Sequence, residues 1–264
     1  MVVVTSRLWQ TTATAIRRGD ECLLVDSPYF PDELDILPTL LAQAGFEPDG
    51  LLATHADYDH LLGRLAFPGL ALGVGWQTAE RLRSEPGGAQ RELRDADAEH
   101  YVERAAPLSL GAYQELPVPG SIEIGDAEIE LHPADGHAPD GTAFLARFAG
   151  VLVCGDYLSD VEIPLIASAG SLDDYRATLA RLAPLVEAAE TVVPGHGSPH
   201  SRETALRILD EDVDYLDAVE RGEEKAKLPP GRDTKRQREI HADNVRKHGG
   251  GGAEAPPPPD PRSL

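Results

Sequence analysis

The stretch THADYDH, residues 54–60, places four side chains of metal-ligating type directly after the apolar run GLLA. They are His55, Asp57, Asp59 and His60. Alternate residues of an extended segment project to one side, so the first three are expected to converge, and His60 returns to the same point at the start of a helix. Imidazole and carboxylate together suit zinc, iron or manganese. The stretch predicts a metal-binding loop; the alternative is a solvated loop whose aspartate caps a helix.

Three later segments also place a potential ligand where a predicted strand ends. His137 lies in the loop DGHAPDG after the strand pattern EIELH, and Asp156 ends the apolar run VLVCGD. His196 lies between two glycines in VVPGHG, where the backbone can approach a metal closely. Loops at strand ends, held by a rigid sheet, are a common place for binding sites. Their recurrence favours one shared metal site over separate turns.

The order of predicted elements indicates an α/β protein. TTATAIRR and ECLLVD flank an Arg-Gly-Asp turn, which predicts a strand hairpin, and a helix is predicted from Pro31 to Gly45. Residues 76–113 are highly charged and predicted helical, strands resume from residue 121, and Ser171 is predicted to cap an amphipathic helix. Two similar halves, each a sheet covered by helices, would form an αββα sandwich; the pattern alone also fits other α/β layouts.

The order THADYDH, DGHAPDG, LVCGDYL and PGHG resembles the metallo-β-lactamase superfamily, particularly its glyoxalase II-like hydrolases, over roughly residues 8 to 220. The family pattern is HxHxDH followed by a lone His, a lone Asp and a lone His, and this chain departs from it with aspartate at position 57. The resemblance implies a first metal held by His55, Asp57 and His137, a second held by Asp59, His60 and His196, and Asp156 bridging both. It also implies that Asp26, in LLVDSP, supports the metal loop by hydrogen bonds.

A metal-dependent hydrolase follows from this resemblance. Two divalent ions bridged by hydroxide would attack the substrate, with zinc as the first expectation and iron or manganese as alternatives because Asp57 is a hard anionic ligand. Asp59 would orient the nucleophile, and Tyr157 would either donate a hydrogen bond to the substrate or pack against the sheet. The expected substrate is a small-molecule thioester, ester or lactone. A phosphodiesterase or nuclease of the same fold, and a non-catalytic metal-binding module, remain alternatives.

The composition narrows the class of partner. The chain carries 45 acidic against 24 basic residues, a formal net charge of −21, and a surface this acidic repels phosphate backbones. Nucleic acid is therefore not an expected partner. No apolar run approaches the ~20 residues that a membrane helix needs, and the first residues lack the pattern of a secretory signal. A cytoplasmic protein without a membrane partner is expected.

The chain is predicted to divide into a hydrolase domain and a tail. The domain would span residues 1–221, followed by a charged and partly helical extension over 222–248. The Gly/Pro-rich residues 249–264 are predicted to be disordered. The extension, which includes His241, is expected to be solvated.

Overall fold

The computed structural model describes residues 1–167 and 169–250. The strands are β1 (Val2–Thr5), β2 (Thr12–Arg18), β3 (Glu21–Asp26), β4 (Gly50–Ala53), β5 (Ala71–Gly75), β6 (Gln114–Leu116), β7 (Gly120–Ile124), β8 (Ala127–Pro133), β9 (Thr142–Ala146), β10 (Val151–Val153), β11 (Thr191–Val193) and β12 (His200–Ser201). The helices are α1 (Pro31–Gln43), α2 (Gly63–Ala66), α3 (Trp76–Ser84), α4 (Gly88–Glu99), α5 (Leu172–Ala188), α6 (Arg202–Glu220) and α7 (Lys235–His248). Most of the tail predicted to be disordered, residues 251–264, lies outside the described residues.

The strands form two six-stranded sheets, one from each half of the chain. The first has the order β1-β2-β3-β4-β5-β6 and the second β12-β11-β10-β9-β8-β7. In the first sheet β3, β4, β5 and β6 run parallel, and in the second β10 and β11 do. Parallel neighbours end at the same edge of a sheet, so the loops that follow them are brought together.

Three apolar clusters give the molecule its layers. The cluster between the sheets contains side chains from both, among them Val25, Leu52, Leu131 and Phe144. A second cluster joins the first sheet to α1, α2 and α4, and a third joins the second sheet to α5 and α6. Each sheet is therefore covered by helices on its outer face, and the predicted αββα sandwich is confirmed.

Local signals in the sequence account for several element ends. Gly19, in the predicted turn between β2 and β3, has φ +61°, a conformation that favours glycine. Helix α1 ends before Gly45, where φ is +77° and the amide of Phe46 donates to Leu41 O at 2.8 Å. Ser171 caps α5 as predicted, since its Oγ accepts a 3.0 Å hydrogen bond from the amide of Asp174.

The prediction of helix throughout residues 76–113 is wrong beyond Glu99. Helix α4 ends there, and Tyr101 has φ +55°, which reverses the chain. Arg104 then folds back on the helix and its Nε donates to Asp97 Oδ2 at 2.8 Å. This ion pair turns the charged stretch into a loop over α4, and residues 114–116 become the edge strand β6.

The C-terminal extension is not the solvated tail that its composition predicts. Helix α7 packs on α6, and its side chains Gln237, His241 and Asn244 are buried. His241 Nδ1 lies 3.3 Å from the hydroxyl of Tyr215 on α6. Hydrogen bonds to α6 and to a loop thus hold a helix whose apolar content is low. Within the described part of the chain, no helix combines the length and the apolar character needed to cross a membrane.

Candidate metal centre

The predicted ligands meet at one edge of the sandwich. His55 follows β4, His137 follows β8, Asp156 follows β10 and His196 follows β11. His55 and His137 are buried, as are Asp59, His60 and His196, while Asp57 and Asp156 are partly exposed. The structure therefore brings together, in one cluster, all seven residues predicted to bind metal.

One group of ligands consists of His55, Asp57 and His137, whose donor atoms all lie within 4.8 Å of one another. Oδ2 of Asp57 is 3.5 Å from Nε2 of His55 and 3.4 Å from Nε2 of His137. Asp57 thus reaches the same point as the two imidazoles despite its short side chain. This group corresponds to the first predicted metal position.

A second group consists of Asp59, His60 and His196, with the same 4.8 Å limit. Oδ2 of Asp59 is 3.5 Å from Nε2 of His196 and 3.9 Å from Nε2 of His60. Asp156 lies between the two groups: its Oδ2 is 3.3 Å from Nε2 of His137 and 3.4 Å from Nε2 of His196. That position suits a carboxylate shared by two cations.

Each imidazole is anchored through Nδ1, which leaves Nε2 directed into the cluster. Nδ1 of His137 lies 2.7 Å from Leu165 O, and Nδ1 of His196 lies 3.2 Å from Trp9 O. A carbonyl oxygen only accepts, so in both rings Nδ1 carries the proton. In the neutral ring Nε2 then presents a lone pair, which is the form that binds a metal.

Asp26 organises the other two histidines. Its carboxylate accepts from the amide of Thr54 at 2.8 Å, from the Thr54 hydroxyl at 2.9 Å and from Nδ1 of His60 at 3.0 Å. Because the Thr54 proton goes to Asp26, Oγ1 of Thr54 is free to accept from Nδ1 of His55, 3.0 Å away. Asp26 has φ +57°, so the end of β3 is bent to aim its carboxylate under the loop. The role that the resemblance implied for Asp26 agrees with these contacts.

The donor set fits a pair of divalent cations. Nε2 of His55, Nε2 of His60 and Oδ1 of Asp156 are buried and form no hydrogen bond with a described residue, although the last two atoms lie only 3.1 Å apart. Buried polar atoms normally have partners, so these three mark a place for a ligand that supplies them. The cluster holds only nitrogen and oxygen donors, which suits zinc, iron or manganese.

The cluster is a strongly coupled set of charges. Burial alone lowers the pKa of His137, but Asp156 and Asp57 outweigh it and raise that pKa to about 9. Burial likewise opposes the charge of His196, whose pKa the carboxylates, chiefly Asp156, raise to about 10. For Asp57 burial raises the pKa, yet His55 and His137 hold it well below its ordinary value. Asp57 therefore stays ionised, and the negative charge of the cluster favours either protonated imidazoles or bound cations.

Asp57 is held by an arginine that the sequence did not reveal. Nη2 of Arg81, on α3, lies 2.8 Å from Oδ1 of Asp57, and its Nη1 lies 2.8 Å from Oδ1 of Asp140. Asp140 in turn accepts from the amide of Ala56 at 2.7 Å. The guanidinium thus occupies one oxygen of Asp57 and leaves Oδ2 facing the histidines.

Gly195 is required by the close packing of the cluster. A Cβ at this position would overlap Oδ1 of Asp156 and Cε1 of His60. The PGHG segment therefore carries glycine before His196 because a side chain there would displace two of the ligands.

Tyr157 does not face the cluster as predicted. Its hydroxyl accepts from the amide of His137 at 2.8 Å and donates to Ala134 O at 3.1 Å, and the side chain is buried. In this structure its proton thus goes to a main-chain oxygen. The residue braces the loop that carries His137.

The comparison with known families agrees with this geometry. The model of the metallo-beta-lactamase superfamily matches residues 6–196, most of the chain. The chain belongs to the metallo-beta-lactamase superfamily. The match begins before β2 and ends at His196, so it contains every residue of the cluster. A search of curated protein sequences returned no significant match.

Solved structures of the metallo-beta-lactamase fold resemble this chain closely in shape and distantly in sequence. A metallo-beta-lactamase family protein from Thermus thermophilus, TTHA1429, has a TM-score of 0.66 at 18% identity, covering 93% of this chain and 91% of its own. TTHA1623, solved in a di-iron-bound form, has a TM-score of 0.58 at 22% identity, with 79% and 98% covered. The sec-alkylsulfatase Pisa1 from Pseudomonas sp. has a TM-score of 0.66 at 14% identity, with 90% and 46% covered. At these identities the likeness establishes the fold alone.

Proposed function

We propose that this metallo-beta-lactamase superfamily chain is a binuclear metal-dependent hydrolase that cleaves a small-molecule thioester, ester or lactone. The observation that carries the proposal is the convergence of four imidazole Nε2 atoms and three carboxylates, with Asp156 between two ligand groups. A non-catalytic module would not need two adjoining cation positions joined by a shared carboxylate. The glyoxalase II-like character of the motif order, GDYL followed by PGHG, supports the acyl class of substrate.

The seven residues would hold two cations. His55, Asp57 and His137 would hold one cation, Asp59, His60 and His196 the other, and Asp156 both. When bound, such cations supply Lewis acidity and a water whose pKa is lowered towards ~7. The Nδ1 anchors on Leu165, Trp9, Asp26 and Thr54 keep the imidazoles in the binding tautomer.

Asp59 is proposed as the catalytic carboxylate as well as a ligand. It is buried, it belongs to the second ligand group, and Ser27 Oγ donates to its main-chain oxygen at 3.2 Å. A buried carboxylate in this position can accept the proton of an attacking water and keep it oriented towards the substrate. Removal of the Asp59 carboxylate should therefore reduce turnover more than it reduces metal content.

Charge around the cluster supports a small substrate over a polynucleotide. Two cationic groups beside the ligand loops are already paired, Arg81 with Asp57 and Asp140, and Arg236 with Glu162. A phosphate backbone needs unpaired cationic groups along its path, and the net charge of −21 opposes its approach.

The proposal is tested by metal analysis joined to a substrate panel. Protein prepared with zinc, iron or manganese should bind two equivalents per chain and hydrolyse at least one thioester, ester or lactone. The matched variant Asp59→Asn should retain the fold and lose most of that activity. Absence of metal in all three preparations would refute the metal centre, and cleavage confined to phosphodiesters would refute the acyl substrate class.

A further inference from the structure

Helix α7 lies outside the family match, yet it contacts the two main-chain segments that orient metal-ligand histidines. The match ends at residue 196, and α7 begins at Lys235. One segment is the loop 160–167, whose Leu165 O accepts from Nδ1 of His137. The other is the turn 8–11, whose Trp9 O accepts from Nδ1 of His196. Both carbonyls have to stay in place if the imidazoles are to face the metals.

The loop 160–167 is held by buried polar side chains of α7. The amide of Ile163 donates to Oε1 of Gln237 at 2.8 Å, and the amide of Ile166 donates to Oδ1 of Asn244 at 3.3 Å. Nδ2 of Asn244 donates to Pro164 O at 2.7 Å. These bonds fix the residues on both sides of Leu165. The loop lacks regular secondary structure, so no neighbouring strand binds these main-chain groups. Side chains of α7 provide their hydrogen-bond partners instead.

The turn 8–11 is covered by the first turn of α7. The guanidinium carbon of Arg236 lies 4.6 Å from the centre of the Trp9 ring, and the same guanidinium pairs with Glu162 of the loop. Trp9 and Gln10 have φ +51° and +54°, a conformation that non-glycine residues adopt only when the surroundings enforce it. Arg236 thus joins the strained turn to the loop beside it.

We infer that α7 is a positioning element of the metal centre: Gln237 and Asn244 fix the carbonyl that orients His137, and Arg236 fixes the one that orients His196. This inference rests on the proposed metal centre and adds a segment that the ligand motif does not contain. Gln237 and Asn244 bind main chain of the loop beside His137, which accounts for two buried polar residues where a packing helix would carry apolar ones.

The test compares Asn244→Ala, Gln237→Ala and Arg236→Ala with Arg246→Ala, an exposed position on the same helix. Zinc affinity is measured by competition with a chromophoric chelator, and amide hydrogen exchange is measured on the metal-free protein. Removing a direct partner of a metal-ligating histidine weakens binding by about 10- to 100-fold. Asn244 and Arg236 contact these partners and not the histidines themselves. Asn244→Ala and Arg236→Ala should therefore weaken the affinity for zinc by roughly 3- to 10-fold. Arg246→Ala should match the wild type.

Hydrogen exchange separates positioning from general destabilisation. Asn244→Ala should accelerate exchange of the Ile166 amide, and Gln237→Ala that of Ile163, by on the order of tenfold while amides of the central strand β9 keep their protection. Gln237→Glu retains the acceptor and should restore slow exchange at Ile163.

Each outcome decides between the two proposals. Wild-type zinc affinity in the three alanine variants would overturn the role of α7 and leave the metal centre intact. Equal acceleration at Ile163, Ile166 and β9 would reduce α7 to a general stabiliser and overturn the inference as well. A wild-type protein without affinity for zinc, iron or manganese would overturn the proposed metal centre and, with it, this inference.

Discussion

Asp57 binds the guanidinium of Arg81 through Oδ1, at 2.8 Å, and faces the histidines His55 and His137 through Oδ2. The position where the family resemblance predicts a neutral imidazole thus carries an anion whose charge is compensated from α3. Because Oδ1 is bound to Arg81, the carboxylate is held in one rotation and only Oδ2 is left to bind a metal. Arg81 also reaches Asp140, so it joins the loop after β4 to the loop after β8.

Substitution of Arg81 should disturb both the fold and the first metal position. Arg81→Ala leaves the buried carboxylate of Asp140 without its cation, and we expect the free energy of unfolding to fall by about 2 kcal/mol. Chemical denaturation of the metal-free protein measures this. Arg83 lies on the same helix and forms an exposed ion pair with Glu115 of β6. Arg83→Ala breaks that pair and should lower the free energy of unfolding by less than about 0.5 kcal/mol. Similar losses in the two variants would show that the Arg81 bridge does not stabilise the loops.

Substitution of Asp57 should change which metal the cluster binds most tightly. Asp57→His restores the residue type of the family pattern, and imidazole suits zinc better than a hard carboxylate does. We expect a retained fold and tighter zinc binding relative to manganese, measured by competition between the two ions. Because the new imidazole would face Arg81, the double variant Asp57→His with Arg81→Gln should bind zinc more tightly than the single one. Zinc and manganese affinities that stay at the wild-type level in both variants would mean that position 57 does not contribute a ligand.

The seven ligand-type residues were predictable because each is marked in the sequence by its place at the end of an apolar run. His196 follows VVPG and Asp156 follows VLVCG, and strands that end at one edge of the sandwich bring such positions together. The supports of the site lack a comparable signal. Arg81 lies in a helix whose polar pattern is typical of a solvated surface, and Trp9 and Leu165 act through main-chain oxygens, which every residue has.

Sequence-based prediction failed where polar groups are buried by specific bonds. The extension was expected to be solvated because α7 is rich in charge, yet Asn244 is buried through its hydrogen bonds to main chain. The helix after residue 76 was extended too far because Arg104 and Asp97 were interpreted as helix surface, whereas they pair across a reversal of the chain. Hydrophobic periodicity does not record such pairings.

Removal of charge from Asp26 should weaken the centre without altering the backbone. Asparagine also adopts positive φ, so Asp26→Asn is compatible with φ +57° at this position. It cannot accept from the Thr54 amide, the Thr54 hydroxyl and Nδ1 of His60 together, as the carboxylate does. We expect zinc affinity to fall by about 10- to 100-fold.

The control for this variant is Asp49→Asn, whose carboxylate accepts from the amide of Cys22 beside the opposite end of β4. It should leave zinc affinity at the wild-type level. An Asp26→Asn protein that binds zinc as tightly as the control would show that the hydrogen bond to His60 does not determine its ligand geometry.

The pH dependence of stability should differ between the metal-free and the metal-bound protein. In the metal-free fold the pKa of His137 is raised to about 9 and that of His196 to about 10, from an ordinary value of 6.5. A raised pKa contributes stability that is complete below about 6.5 and is lost as the pH rises through the folded values. The metal-free protein should therefore become less stable between about pH 6.5 and 9.5.

Metal binding should remove this slope, because a cation requires the neutral imidazole and displaces its proton, so that neither the folded nor the unfolded histidines carry it above about pH 6.5. The added stability from bound zinc should grow over the same interval. Thermal unfolding at constant ionic strength, with and without zinc, measures both. Parallel slopes for the two forms would show that the proton and the metal do not compete for these histidines.

Removal of the Tyr157 hydroxyl should show whether it supports the loop that carries His137 or donates to the substrate. The sequence predicted a donor to the substrate, whereas the structure commits its proton to Ala134 O and uses its oxygen to hold the amide of His137. If the contacts in the structure decide, Tyr157→Phe should lower the free energy of unfolding by about 1–2 kcal/mol, since a buried donor and acceptor lose their partner. Zinc affinity should fall with it, because the same loop carries His137.

Tyr113→Phe, which removes a hydrogen bond to Ala79 O away from the cluster, serves as the control and should leave zinc affinity unchanged. A Tyr157→Phe enzyme with unaltered stability and zinc affinity but a raised KM would instead restore the substrate role, and would require the hydroxyl to turn from His137 when substrate binds.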